Sequence, residues 1–99
     1  MTVHQVKAYP EHFAELLDGR RSYYAGKNEH FRLHDVLHIQ EYQPPSAGAV
    51  KPYYTGRVIR AAVISICDDP RLGLIDGYVI LGLSVFNYID GSSERGAAD

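Results

Sequence analysis

The spacing of apolar residues changes period once, early in the chain, and then settles into strand-like alternation. Val3-His4-Gln5-Val6-Lys7-Ala8 alternates crudely between apolar and polar, the period-two pattern of a half-buried strand. Tyr9-Pro10 ends that pattern. Phe13, Leu16 and Leu17 follow at helical spacing, which predicts a helix over Pro10–Asp18 with all three buried. Proline is tolerated at the first helical position, where its missing N–H costs nothing. Glu11 and Glu15 favour the positive end of the helix, and Gly19 supplies the left-handed stop.

Beyond Gly19 the chain favours strands. Tyr23 and Tyr24 place one in residues 20–25, before a polar loop, Gly26-Lys27-Asn28-Glu29-His30. Residues 35–42 form the next strand, with Leu37 and Ile39 on one face and Val36, His38, Gln40 and Tyr42 on the other. Three prolines, a serine and a glycine mark residues 43–52 as a surface loop, the most mobile internal stretch expected. Residues 54–67 are the longest strand, bent near Gly56. Asp68-Asp69-Pro70 starts a turn through Gly73, and residues 77–86 form a last apolar strand.

One short helix against about five strands cannot cover both faces of a parallel sheet. The pattern therefore predicts an α+β domain: a curled, mixed sheet closing toward a barrel, with the helix plugging one side. At 99 residues the chain fits one domain. We place it over residues 1–90, with 91–99 as a frayed tail. A chain of this size buries about 60–65% of its unfolded surface, so its core is thin.

Composition narrows the chemistry. The net charge of -2 argues against a strongly basic, non-specific DNA binder but leaves room for a local basic patch. Cys67 is the sole cysteine, so no internal disulfide forms, and its apolar neighbours predict a small buried residue. No basic start precedes an apolar run, and no stretch reaches the ~20 apolar residues of a membrane helix. The expectation is a cytoplasmic protein without a membrane span. Five histidines invite a metal reading. His30, His34 and His38 are spaced by four, however, and residues four apart on a strand lie ~13 Å from each other. No metal is expected, and no phosphate loop or nucleophile triad calls for a cofactor.

Several fragments in order resemble one known family. These are His4-Gln5-Val6-Lys7 with Pro10 and Phe13, Leu17-Asp18-Gly19-Arg20-Arg21-Ser22, Lys27-Asn28, and Asp35-Val36-Leu37 through Gln40-Glu41-Tyr42. Tyr54-Thr55-Gly56-Arg57 and Gly77-Tyr78-Val79-Ile80-Leu81 complete the set. From about His4 to Leu83 the chain resembles the ASCH family of the PUA-like superfamily, and in particular a small bacterial and phage subfamily associated with RNA binding. The resemblance implies a pseudo-barrel with a cleft between barrel and helix, where relatives bind RNA or a nucleotide base.

The residues suit that expectation. Lys7, Arg20, Arg21 and Lys27 can contact phosphates, and Tyr23, Tyr24 and Tyr42 can stack on bases. Asn28 belongs to the matching Lys-Asn pair, and Glu41 can accept hydrogen bonds from a base amino group. Plainer roles stand beside these. Arg20 and Arg21 can be solvated side chains after a helix end, Asn28 can shape a turn, and Lys7 and Glu41 can pair across the sheet. Tyr23 and Tyr24 point to opposite faces of a strand, so one is expected in the core and the other in the cleft.

Some ASCH relatives are amidohydrolases of acylated cytidine that use a lysine in a Gly-x-Lys turn, a nearby threonine and a glutamate. Here Arg21 stands at the lysine position and Tyr24 near the threonine's, and arginine does not deprotonate. The family's Glu-x-Arg reads Tyr24-Ala25-Gly26, and the glycine before Asp35 is His34. The leading expectation is a non-enzymatic module for RNA or a nucleotide-like ligand, with no catalytic residue. Acylcytidine hydrolysis is one alternative. A small phage-type accessory protein that occupies a host protein is the other, since tyrosine-rich, near-neutral surfaces also suit protein partners.

Overall fold

A computed structural model describes residues 1–45 and 51–90. The expected tail at 91–99 and the centre of the expected loop at 43–52 lie outside the described residues. Strand β1 (Val3–Ala8) leads into helix α1 (Pro10–Asp18), followed by β2 (Tyr23–Lys27), β3 (Val36–Gln43), β4 (Tyr53–Cys67), a short 3-10 turn (Pro70–Leu72) and β5 (Tyr78–Ile89). Lys27 and Gly26 belong to β2 rather than to the loop expected after it. They are recruited by pairing with Tyr78 and Val79 of β5, which polar composition alone cannot show.

The strands form one mixed sheet in the order β1-β3-β4-β5-β2, curled into a half-barrel. β1 runs parallel to β3, and the other pairings are antiparallel. Pairing is irregular between Gln40 and Tyr42 on β3, and again beside Arg60 and Val63 on β4. Such bulges bend a strand and increase its twist. Gly56, near the start of β4, takes a positive φ of 94°. The sheet curls but does not close: β1 and β2 are its two free edges.

Helix α1 lies in the hollow of the curled sheet. Pro10 occupies its first turn, and Gly19 ends it in the left-handed conformation (φ 86°). Phe13 and Leu16 are buried against Leu37, Ile39, Ile59 and Ala61, together with Val6 and Phe31. Leu17 is 38% exposed, contrary to expectation. A helix this short rests on the sheet along a narrow stripe, and Leu17 falls on its flank. Val6, Ile39 and Ile59 stand side by side in register across β1, β3 and β4 and form the centre of the core.

The segment between β2 and β3 is anchored by Asp35, which is 3% exposed. It accepts hydrogen bonds from the backbone N–H groups of Thr2 and Arg32, both at 3.0 Å, and lies 2.8 Å from His4 Nε2. Those bonds tie the start of β1 to the start of β3. Cys67 is half-buried at the end of β4. Among the described residues no helix is long and apolar enough to cross a membrane.

Candidate functional site

β1, α1 and β2 are consecutive in sequence, yet β1 and β2 lie at opposite ends of the sheet. The helix therefore spans the opening between the two free edges, and a cleft of about 480 Å³ forms there. Lys7 and Ala8 line it from β1, Tyr9, His12 and Leu16 from the helix and its entry, and Arg21, Tyr23, Tyr24 and Ala25 from β2 and its approach.

Arg21 is half-buried and held on two sides. Its Nη2 lies 2.8 Å from Glu15 Oε1 on the helix, and its guanidinium lies 4.9 Å from the centre of the Tyr23 ring. Cation–π stacking and an ion pair together fix the guanidinium at the cleft wall. Tyr24 projects to the core face of β2, where it packs edge-on to Phe31 at 6.4 Å. Its ring folds back over Gly26, at which a β-carbon would fall 2.8 Å from the phenol oxygen, so only glycine leaves that space. Burial and the negative charge of Glu29 both push the Tyr24 phenol upward, so it remains a protonated donor at neutral pH.

The expectation that only one of these tyrosines reaches the cleft is corrected. Tyr24 packs on the core and Tyr23 is exposed on the other face, yet both line the cleft. The cleft opens off the free edge of β2, where side chains from both faces are within reach.

Lys7 and Tyr42 also meet. The Lys7 ammonium lies 4.4 Å from the Tyr42 ring centre, and Tyr42 packs against Tyr9 at 6.2 Å and Tyr54 at 5.3 Å. Lys7 faces Gln40 rather than Glu41 in the register, so the pair expected between Lys7 and Glu41 does not form. Glu41 points instead to the core face, where it bonds to Arg57 and Thr55. A second cleft of about 360 Å³ adjoins the first and is lined by Gln5, Val6, Lys7, Tyr24, Glu29, Gln40 and Tyr54. Lys7 and Tyr24 form the wall between them.

The structure thus brings Lys7, Arg21, Tyr23 and Tyr24 to one cleft, with Tyr42 beside it. It does not bring the others there. Arg20 is exposed, with Nε 2.8 Å from Asp18 Oδ2. Lys27 is exposed at the far end of β2. Asn28 shapes a turn: its Oδ1 accepts from the His30 N–H at 3.0 Å, and its own N–H bonds the Gly77 carbonyl. Tyr9 and His12 were not foreseen in the first cleft, nor Tyr54 in the second. Tyr9 carried a signal, since the residue between a strand and a Pro-started helix must pass the cleft mouth. Tyr54 carried none, because its approach to Tyr42 depends on a register break. Among the described residues no three ligand-type side chains cluster as a metal site.

Residues 3–83 match the family model described as Domain of unknown function (DUF3850), and the chain belongs to that family. No curated protein matches it.

Proposed function

We propose that this member of the DUF3850 family is a non-enzymatic binding module for RNA or a nucleotide-like ligand, held in the cleft between α1 and the open side of the sheet. One observation carries this reading. Among the described residues lining the cleft, two cations, Lys7 and Arg21, stand with three tyrosines, Tyr9, Tyr23 and Tyr24, and with His12, and no acid is among them. Phosphate contact needs the first kind of group and base stacking the second. The volume falls within the ~300–1,000 Å³ usual for small-ligand sites.

The likeness to ASCH and PUA-like domains supports the same reading, because a cleft between helix and curled sheet is where those relatives bind. Arg21 weighs against acylcytidine hydrolysis: a guanidinium paired with Glu15 is not a neutral amine. Glu41, the other acid of interest, is engaged by Arg57.

The test is titration of a labelled single-stranded oligoribonucleotide at two salt concentrations. Each phosphate contact contributes about −0.7 to the slope of log K against log salt. Arg21→Gln is expected to reduce that slope by about one contact. Tyr23→Ala, at an exposed position, is expected to cost ~1–3 kcal/mol with the slope unchanged. Binding no tighter than millimolar, with neither variant having an effect, would end this reading and leave a protein partner as the stronger one.

A further inference from the structure

Three tyrosines form a continuous path that leads out of the cleft. Tyr9 lines the first cleft and touches Tyr42, Tyr42 touches Tyr54, and Tyr54 lines the second cleft. The end rings are open, Tyr9 being 44% and Tyr54 53% exposed, while Tyr42 is half-buried between them. The rings are tilted, by 40° at the first contact and 57° at the second, so neither outer ring is covered face-on by its neighbour. Lys7 stands over Tyr42, at the middle of the path, and lines both clefts.

We infer that a nucleic acid strand bound in the first cleft continues over this path: one base stacks at Tyr9, the next at Tyr54, and Lys7 meets the phosphate between them. The inference rests on the proposed function and deepens it. The site then takes single strands of several nucleotides in preference to a lone nucleotide.

The surroundings favour nucleic acid as the occupant. Stacking on tyrosine tolerates any base, since every base has a π-face. Around the path stand hydrogen-bonding side chains, Gln5 and Gln40, with Val6 as the one aliphatic residue among the described residues lining the second cleft. Glu29 is the acid lining the second cleft, and it turns a phosphate back toward Lys7 while accepting from a base amino group. On the same face, Arg60 lies beside His38, with its Nε 3.3 Å from Nδ1. Residues directly opposed across strands share a face, and His38 and Arg60 are in register with Gln5.

A length series separates this inference from the reading beneath it. Affinity is measured for uridine monophosphate, a dinucleotide, and a uridine tetranucleotide, on the wild-type chain and on Tyr54→Ala. Affinity is expected to rise from monomer to tetramer, and Tyr54→Ala to remove about 5–150-fold of it for the tetramer, the equivalent of one stacked base. Monomer binding is expected to stay unchanged. Tyr54→Leu, which keeps bulk but not the π-face, is expected to behave as Tyr54→Ala and guards against a folding defect. If monomer binds but length adds nothing, or the length gain survives both variants, the path is wrong and the cleft stands. If no member of the series binds, both readings fall.

Discussion

Arg57 closes on Glu41 from the neighbouring strand as a two-pronged fork. Nε reaches Oε1 and Nη2 reaches Oε2, both at 2.8 Å. Thr55 donates to the same Oε1 at 2.7 Å, and the guanidinium lies 4.9 Å from the Phe13 ring centre. The pair therefore fastens β3 to β4 just where their register is broken, and seats the helix on top. Paired, parallel N–H···O bonds of this kind are about twice as strong as neutral ones. The fork lowers the Glu41 carboxyl from its ordinary value, with Thr55 assisting, and it raises Arg57 further above its already high value.

Acid should unfold this protein through two carboxylates. Asp35 is lowered to about 2, first by its bond to His4 and then by the Thr2 and Arg32 N–H groups. Glu41 is lowered first by Arg57. A group depressed in the folded state leaves the unfolded chain binding more protons, so stability is fully present above the unfolded values near 4 and declines as pH falls through the folded ones. Urea midpoints should be level from pH 7 to about 5 and then fall toward pH 2. The fall should be shallower in Asp35→Asn and in Glu41→Gln. A midpoint unchanged between pH 5 and 2.5 would remove both groups from the account.

The two leucines at the end of α1 should behave differently. Leu16 is 4% exposed and Leu17 38%. Leu16→Ala is expected to cost ~2–5 kcal/mol, as buried leucines do. Leu17→Ala should cost under about 1 kcal/mol, as at a surface position. Equal losses in denaturant titrations would mean that the helix is rotated about its axis.

His34 should be improvable. It sits at φ 72°, where a β-carbon is strained. The conformation is imposed from both sides, since its N–H bonds the Val63 carbonyl and the Val63 N–H bonds the Asp35 carbonyl, each at 2.8 Å. His34→Gly relieves ~1–2 kcal/mol of strain against a chain-entropy cost of ~0.5–1 kcal/mol, for a small net gain. A lowered denaturation midpoint would show that the imidazole contributes a contact worth more than the strain.

Local chemistry was legible in the sequence and long-range choice was not. Pro10, Phe13 and Gly19 announced the helix and its two ends, because capping and period act within a few residues. Leu37 and Ile39 announced the core face of β3 for the same reason. The partner of Glu41 was misread, since Lys7 and Arg57 are both cations and only the register decides between them. The shared role of Tyr23 and Tyr24 was missed because it depends on β2 being an edge strand. A strand's place in a sheet is set by pairing with residues more than fifty positions away, such as Tyr24 with Leu81.

The order β1-β3-β4-β5-β2 also governs how the protein is made. Every residue lining the first cleft lies between Lys7 and Ala25, so the lining of that cleft is translated early. Its scaffold comes afterwards: β1 pairs with residues 36–41, and β2 only with residues 78–82. The cleft is thus written first and assembled last, once β5 has been synthesised and has presented an edge. For evolution the same arrangement is a cassette. Nineteen consecutive codons can change the lining of the first cleft while the β3-β4-β5 frame stays as it is.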